Sequence, residues 1–156
     1  MLPLLTSEME QASAIKPCQT MRGHTGLVTG CCAPVQRTAN HPCSNYGSLR
    51  LWNLESGVQI GNDWRDDGKE GWSISLSPNG KSVAGGSLDG TMRLWDVETE
   101  KVVAKWTGHG DTVRLLCWSV DGEWVVNGSN DRTIRVWDVE NGDTVVGPIK
   151  TGHLSV

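Results

Sequence analysis

Three tryptophans, Trp52, Trp95 and Trp137, stand 43 and 42 residues apart, each inside the same local text. "SLDGTMRLWDVETE" begins at Ser87 and "SNDRTIRVWDVENG" at Ser129, while "NYGSLRLWNLESG" at Asn45 keeps the tail of that text and loses its head. A Gly-His pair runs in step, at Gly23-His24, Gly108-His109 and Gly152-His153. His24 precedes Trp52 by 28 residues, and His109 precedes Trp137 by the same 28. Two markers held at fixed spacing define an internal repeat with a period near 42 residues. A repeat of that length is one supersecondary unit that hides its apolar surface only against its neighbours.

Each period reads as four strands. In the last one, "TVRLLCWS", "WVVNGS", "TIRVWDV" and "TVVGPI" are β-rich runs separated by "VDGE", "NDR" and "ENGD", which are turn text. In "TIRVWDV" the alternation predicts Ile134 and Val136 inward and Arg135 outward. The preceding period repeats the plan with "GWSISLS", "KSVAGGS", "TMRLWDV" and "KVVAKW". No segment carries a long helical pattern. The expected architecture is all-β: about three four-stranded antiparallel blades of a partial β-propeller, the first blade degenerate. The blades are placed at residues 22–61, 66–106 and 108–149 within a propeller segment 15–156. Residues 150–156 read as the start of a truncated fourth repeat, and residues 1–14 as a lead-in, disordered or a short helix opened by the Ser7–Glu10 capping pair.

The Gly-His pair, the Gly-Ser-x-Asp turn and the Trp-Asp pair at this spacing resemble the WD-repeat propeller family, over residues 22–153. The wording of the first copy is also similar to repeats of the expanded fungal WD-repeat proteins. The resemblance implies a buried hydrogen-bond network that links a His, a hydroxyl residue, an Asp and the Trp of each blade. A buried indole N–H needs an acceptor, and a buried His or Asp needs partners. In the third copy the matching residues are His109, Asn127, Asp131 and Trp137, with an amide where the hydroxyl belongs. In the second, Asp89 and Trp95 match, Gly85 takes the hydroxyl position, and Asp66-Asp67 stand at the Gly-His place. In the first, His24 and Trp52 match, while Pro42 and Tyr46 hold the other two positions.

His109, Asp131 and Ser129 also form a possible hydrolase set. Residues that recur with a repeat are better explained as structure, because a catalytic Ser needs an exposed oxygen beside an oxyanion hole. Cys31, Cys32, His41 and Cys43 form a loose cluster without the paired C-x-x-C spacing of structural zinc, so no metal site is assigned. Gly80, Gly90 and Gly122 follow Asn or Asp and read as turns rather than phosphate cradles. No cofactor site or catalytic residue is assigned.

Residues 30–46 break the pattern between intact flanks. Pro34 and Pro42 fall where central strands need ladder donors, so this blade is expected to be poorly ordered or partly looped. An abrupt loss at preserved length is what a pair of compensating frameshifts would leave. Three blades do not close a ring of four to eight. The chain is therefore expected to be a fragment or truncated product of a longer propeller, to close the ring with copies of itself or another half-propeller, or to stand alone as a marginal three-blade wedge.

A net charge of −4 draws the chain to neither nucleic acid nor anionic membrane. Five cysteines in a chain without a secretory leader point to reduced thiols and a cytoplasmic, or nuclear, location. The resemblance implies a non-enzymatic scaffold that binds a protein or peptide partner. The alternatives are a hydrolase using His109 and Asp131, or the substrate-receptor or sensor part of a larger signalling protein. Arg93, Arg132 and Arg135 are expected to carry exposed charge at the rim.

Overall fold

A computed structural model describes residues 28–31, 40–45, 48–53, 56–65 and 71–152, with the backbone alone for 28–31, 40–45 and 71–72. The described residues form three four-stranded antiparallel sheets, each a meander in chain order. The first sheet contains β1 (Val28–Cys31), β2 (Asn40–Asn45), β3 (Ser48–Asn53) and β4 (Val58–Arg65). The middle sheet contains β5 (Gly71–Leu76), β6 (Ser82–Ser87), β7 (Thr91–Asp96) and β8 (Lys101–Thr107). The third contains β9 (Val113–Trp118), β10 (Trp124–Ser129), β11 (Thr133–Asp138) and β12 (Thr144–Lys150). The opening strands β1, β5 and β9 are neighbours in space, which sets the sheets side by side around a common interior.

The repeated turn text explains the repeated hairpins. Between β6 and β7 the Gly90 N–H donates to the Ser87 carbonyl, and between β10 and β11 the Arg132 N–H donates to the Ser129 carbonyl. Gly90 and Arg132 both take positive φ, 78° and 68°. Asp89 and Asp131, one residue earlier, each accept the N–H of the threonine two residues on. A short polar side chain thus closes the turn before the strand begins.

Two apolar cores hold the sheets together. Leu49, Leu51 and Trp64 of the first sheet pack against Ile74, Val83 and Trp95 of the middle one. Ala84, Met92, Leu94 and Trp106 of the middle sheet pack against Val125 and Trp137 of the third. Trp106 and Trp137 stack across that second interface at 6.0 Å and 8° between planes. Burial of each such side chain contributes on the order of 1.5–3 kcal/mol.

Three expectations change. Within residues 30–46, expected to be poorly ordered or partly looped, Pro42 lies in β2 (Asn40–Asn45) opposite Leu51. The β1–β2 register is described as far as Cys31 opposite Cys43, and Cys32, the next residue along, lies outside the described residues. Arg93, expected on the surface, is 3% exposed in the middle of β7. Arg132 is exposed. On β11 the expected sense of the alternation is reversed. Trp137 faces the middle sheet, and Arg135, two residues before it, shares that face beside Gly108. Ile134 and Val136 therefore lie on the other face, half-buried. Residues 1–27, 32–39, 46–47, 54–55, 66–70 and 153–156 lie outside the described residues, and with them the lead-in, His24, Pro34, Tyr46, Asp66-Asp67 and His153.

Candidate functional site

The third sheet assembles a chain of polar contacts from four segments of the chain. His109 comes from the loop between β8 and β9, Asn127 from β10, Asp131 from the β10–β11 turn, and Trp137 from β11. His109 Nδ1 lies 2.8 Å from Asp131 Oδ2, and Nε2 lies 2.9 Å from Asn127 Oδ1. The Trp137 indole Nε1–H donates to the same Asn127 Oδ1 at 3.1 Å. The Asn127 amide Nδ2 donates to the Met92 sulfur at 3.4 Å, so this chain of contacts also ties the third sheet to the middle one. The imidazole is 1% exposed and Asn127 is fully buried.

Asp131 is the anchor of the turn. Its Oδ2 accepts the Gly110 N–H at 2.9 Å, and its Oδ1 accepts the Thr133 N–H at 2.9 Å and the Thr133 hydroxyl at 2.7 Å. Burial opposes its ionisation. The hydrogen bonds from the Thr133 hydroxyl, Gly110, His109 and the Thr133 N–H outweigh burial and hold the carboxyl well below its ordinary value. The charged form is therefore the one this site is built around.

The middle sheet places its counterparts differently. Asp89 accepts the Thr91 N–H at 3.0 Å and faces the Arg93 guanidinium at 3.8 Å. Burial again opposes ionisation, and the Thr91 hydroxyl and N–H, the Ser87 hydroxyl and the Arg93 charge lower the pKa to about 2. The buried Trp95 Nε1 has no hydrogen-bond partner. Gly85, cross-strand from Arg93 as Asn127 is from Arg135, offers no side chain, and the Trp95 ring fills its place: a Cβ on Gly85 would meet that ring at 2.5 Å. In the first sheet Trp52 is buried, and of Pro42 the backbone is described.

Ser129 does not join His109. Its hydroxyl is fully buried and donates to the Asp111 carbonyl at 2.8 Å. Both ring nitrogens of His109 already face protein groups, so neither is open to a substrate proton. Cys31 lies opposite Cys43 in the β1–β2 register, and His41 opposite Trp52. Cys32 is outside the described residues. No group of three or more metal-ligating side chains occurs among the described residues. The bond from Asn127 to Met92 was not anticipated. It depends on which residue the neighbouring sheet presents, and no spacing rule carries that.

Three meandering four-stranded sheets set side by side with their first strands inward are blades of a β-propeller. The family model described as "WD domain, G-beta repeat" matches residues 69–96 and 100–138, which cover most of the middle and third sheets. The chain thus carries WD repeats over these two sheets. It is 29% identical over 97 residues to Autophagy-related protein 16 of Arabidopsis thaliana, covering 60% of this chain and 18% of that protein. It is 44% identical over 46 residues to Pre-rRNA-processing protein IPI3 of Mycosarcoma maydis, covering 30% of this chain and 8% of the relative. The matches thus span less than a quarter of either relative. Among solved structures, the RRP9 WD40 repeats superpose with a TM-score of 0.78 at 22% identity, over 88% of this chain and 42% of that one, a likeness of fold.

Proposed function

We propose that the chain is a non-enzymatic interaction scaffold, part of a longer WD-repeat propeller, whose partners are proteins or peptides. One observation carries this reading. The face of the third sheet turned away from the middle sheet exposes Leu115, Val126, Val146 and Ile149. The same face of the middle sheet, carrying Ala84, Leu94, Met92 and Trp106, is the one the third sheet covers. A further four-stranded sheet of the same kind fits there, from an adjoining blade or from a second copy that closes the ring. The names of relatives that include an autophagy-related and a pre-rRNA-processing protein support a role in assemblies, in the cytoplasm or the nucleus. Among the described residues no helix is long and apolar enough to cross a membrane.

Light scattering tests self-closure. The chain should be a dimer or larger at tens of micromolar, and Val126→Glu should shift it to monomer. A strict monomer at that concentration excludes self-closure and leaves the adjoining blade. His109→Ala separates scaffold from hydrolase. The scaffold reading expects a loss of stability on the order of 1–3 kcal/mol from orphaned partners. Intact folding with loss of a hydrolytic turnover would overturn it.

A further inference from the structure

The contacts around His109 fix where its protons are. The Trp137 indole N–H can only donate, and its acceptor is Asn127 Oδ1 at 3.1 Å. The other end of the same amide faces the Met92 thioether, which can only accept. Together these contacts decide which end of the Asn127 amide is oxygen. That oxygen lies 2.9 Å from His109 Nε2. A carboxamide oxygen has no proton to give, so Nε2 must carry one.

The other side of the ring is equally constrained. Nδ1 lies 2.8 Å from Asp131 Oδ2, an ionised carboxylate oxygen. The Thr133 oxygen, 3.1 Å from Nδ1, directs its single proton to Asp131 Oδ1 at 2.7 Å and so presents a lone pair to the ring. Nδ1 thus faces only acceptors and must also carry a proton. The other charged residues on these segments are Asp111, whose carboxylate accepts the Thr112 N–H at 2.6 Å, the exposed Arg132 of the β10–β11 turn, and Arg135 and Asp138 on β11.

We infer that His109 is held as an imidazolium, so that a buried His109–Asp131 ion pair clasps the β8–β9 loop to the β10–β11 turn. The residue that imposes this state is Asn127. A hydroxyl in its place would accept from Trp137 and donate to Nε2, and the ring would then need one proton only. An amide oxygen between two ring systems allows no such relay. A buried pair is sustained only where its remaining donors and acceptors are used. Here both ring N–H groups are placed, and each carboxylate oxygen has at least two donors.

The test reads protonation directly. Long-range proton–nitrogen correlation of the ¹⁵N-labelled 156-residue chain at neutral pH reports each imidazole nitrogen. The His109 ring is assigned by its cross-relaxation with the Trp137 indole proton. Both nitrogens should resonate in the protonated range. One nitrogen at the unprotonated position would overturn the inference. In Asn127→Ser, Nε2 should move to the unprotonated position while Nδ1 stays. A ring that remains doubly protonated in that variant would remove Asn127 as the cause. If the variant fails to fold, the parent spectrum decides the charge state by itself.

Discussion

The middle and third sheets are built from nearly the same text and end in different environments. Ala84 on β6 is 0% exposed, and Val126, its counterpart on β10, is 38% exposed. Trp106, paired with Met92, is 6% exposed, whereas Ile149, paired with Ile134, is 48% exposed. The local sequence makes the same four strands twice. What differs is that the middle sheet has a neighbour on each face and the third has one on a single face among the described residues. In a repeat protein, burial belongs to the interface between units rather than to the unit. The polar chemistry shows the opposite imbalance. The third sheet satisfies its tryptophan through Asn127, while the better-covered middle sheet leaves the Trp95 N–H unpartnered. The Trp95 indole relies on apolar burial, and the Trp137 indole supplements burial with a hydrogen bond.

The most direct way to break that contrast is to remove the amide. Asn127→Ala strands two buried donors, Trp137 Nε1 and His109 Nε2, and should cost about 3 kcal/mol, read as a fall in the urea midpoint. A loss below about 1 kcal/mol would mean that the Trp137 indole, like that of Trp95, is held by packing alone. The converse experiment offers the middle blade a hydroxyl. Gly85→Ser does not repair the unpartnered indole, because its Cβ would lie 2.5 Å from the Trp95 ring. Overpacking should destabilise by about 2 kcal/mol. A gain in stability would show that the ring can move aside and accept the partner.

A finer comparison removes only the indole nitrogen's role. Trp137→Phe and Trp95→Phe delete similar volumes, but only Trp137 has a hydrogen bond to lose. Trp137→Phe should cost about 1 kcal/mol more than Trp95→Phe in the same denaturation assay. Equal costs would assign the whole effect to volume.

What the sequence makes legible follows the same division. The spacing of Trp52, Trp95 and Trp137 carries the number of sheets, and the turn text at Ser87 and Ser129 carries the hairpins, because both are local. The sense of the alternation on β11 is not local. Period-two patterning groups Arg135 with Trp137 and Ile134 with Val136, yet both groups contain a large apolar residue. Which group turns to the neighbour depends on where that neighbour stands. Arg93 looks like a rim charge for the same reason, and is covered because the middle sheet is enclosed. Pro42 looks incompatible with a strand, yet it holds a register position in β2 opposite Leu51. At the site, residue types and spacing bring His109, Asn127, Asp131 and Trp137 to notice. The direction of each hydrogen bond, and the Met92 contact across the interface, need coordinates.

The smallest expected effect concerns acid. Asp89 has its pKa lowered to about 2, and Asp131 is lowered further by its denser set of donors. A carboxyl whose folded-state pKa lies below its unfolded value contributes stability that is complete above about pH 3.9 and fades as pH falls through the folded value. The Asp89 contribution should therefore disappear between about pH 4 and pH 2, and that of Asp131 should extend to lower pH. Asp89→Asn should flatten the fall in urea midpoint over the upper part of this range. Asp131→Asn should flatten it over the whole range. The difference in span, rather than in depth, separates the two blades. An exposed guanidinium pair would be screened by salt, but Arg93 is buried beside Asp89, so the Asp89 slope should survive added salt. Curves for both variants that run parallel to the parent down to pH 2 would show that neither turn aspartate is linked to folding, and that the two blades differ only in their packing.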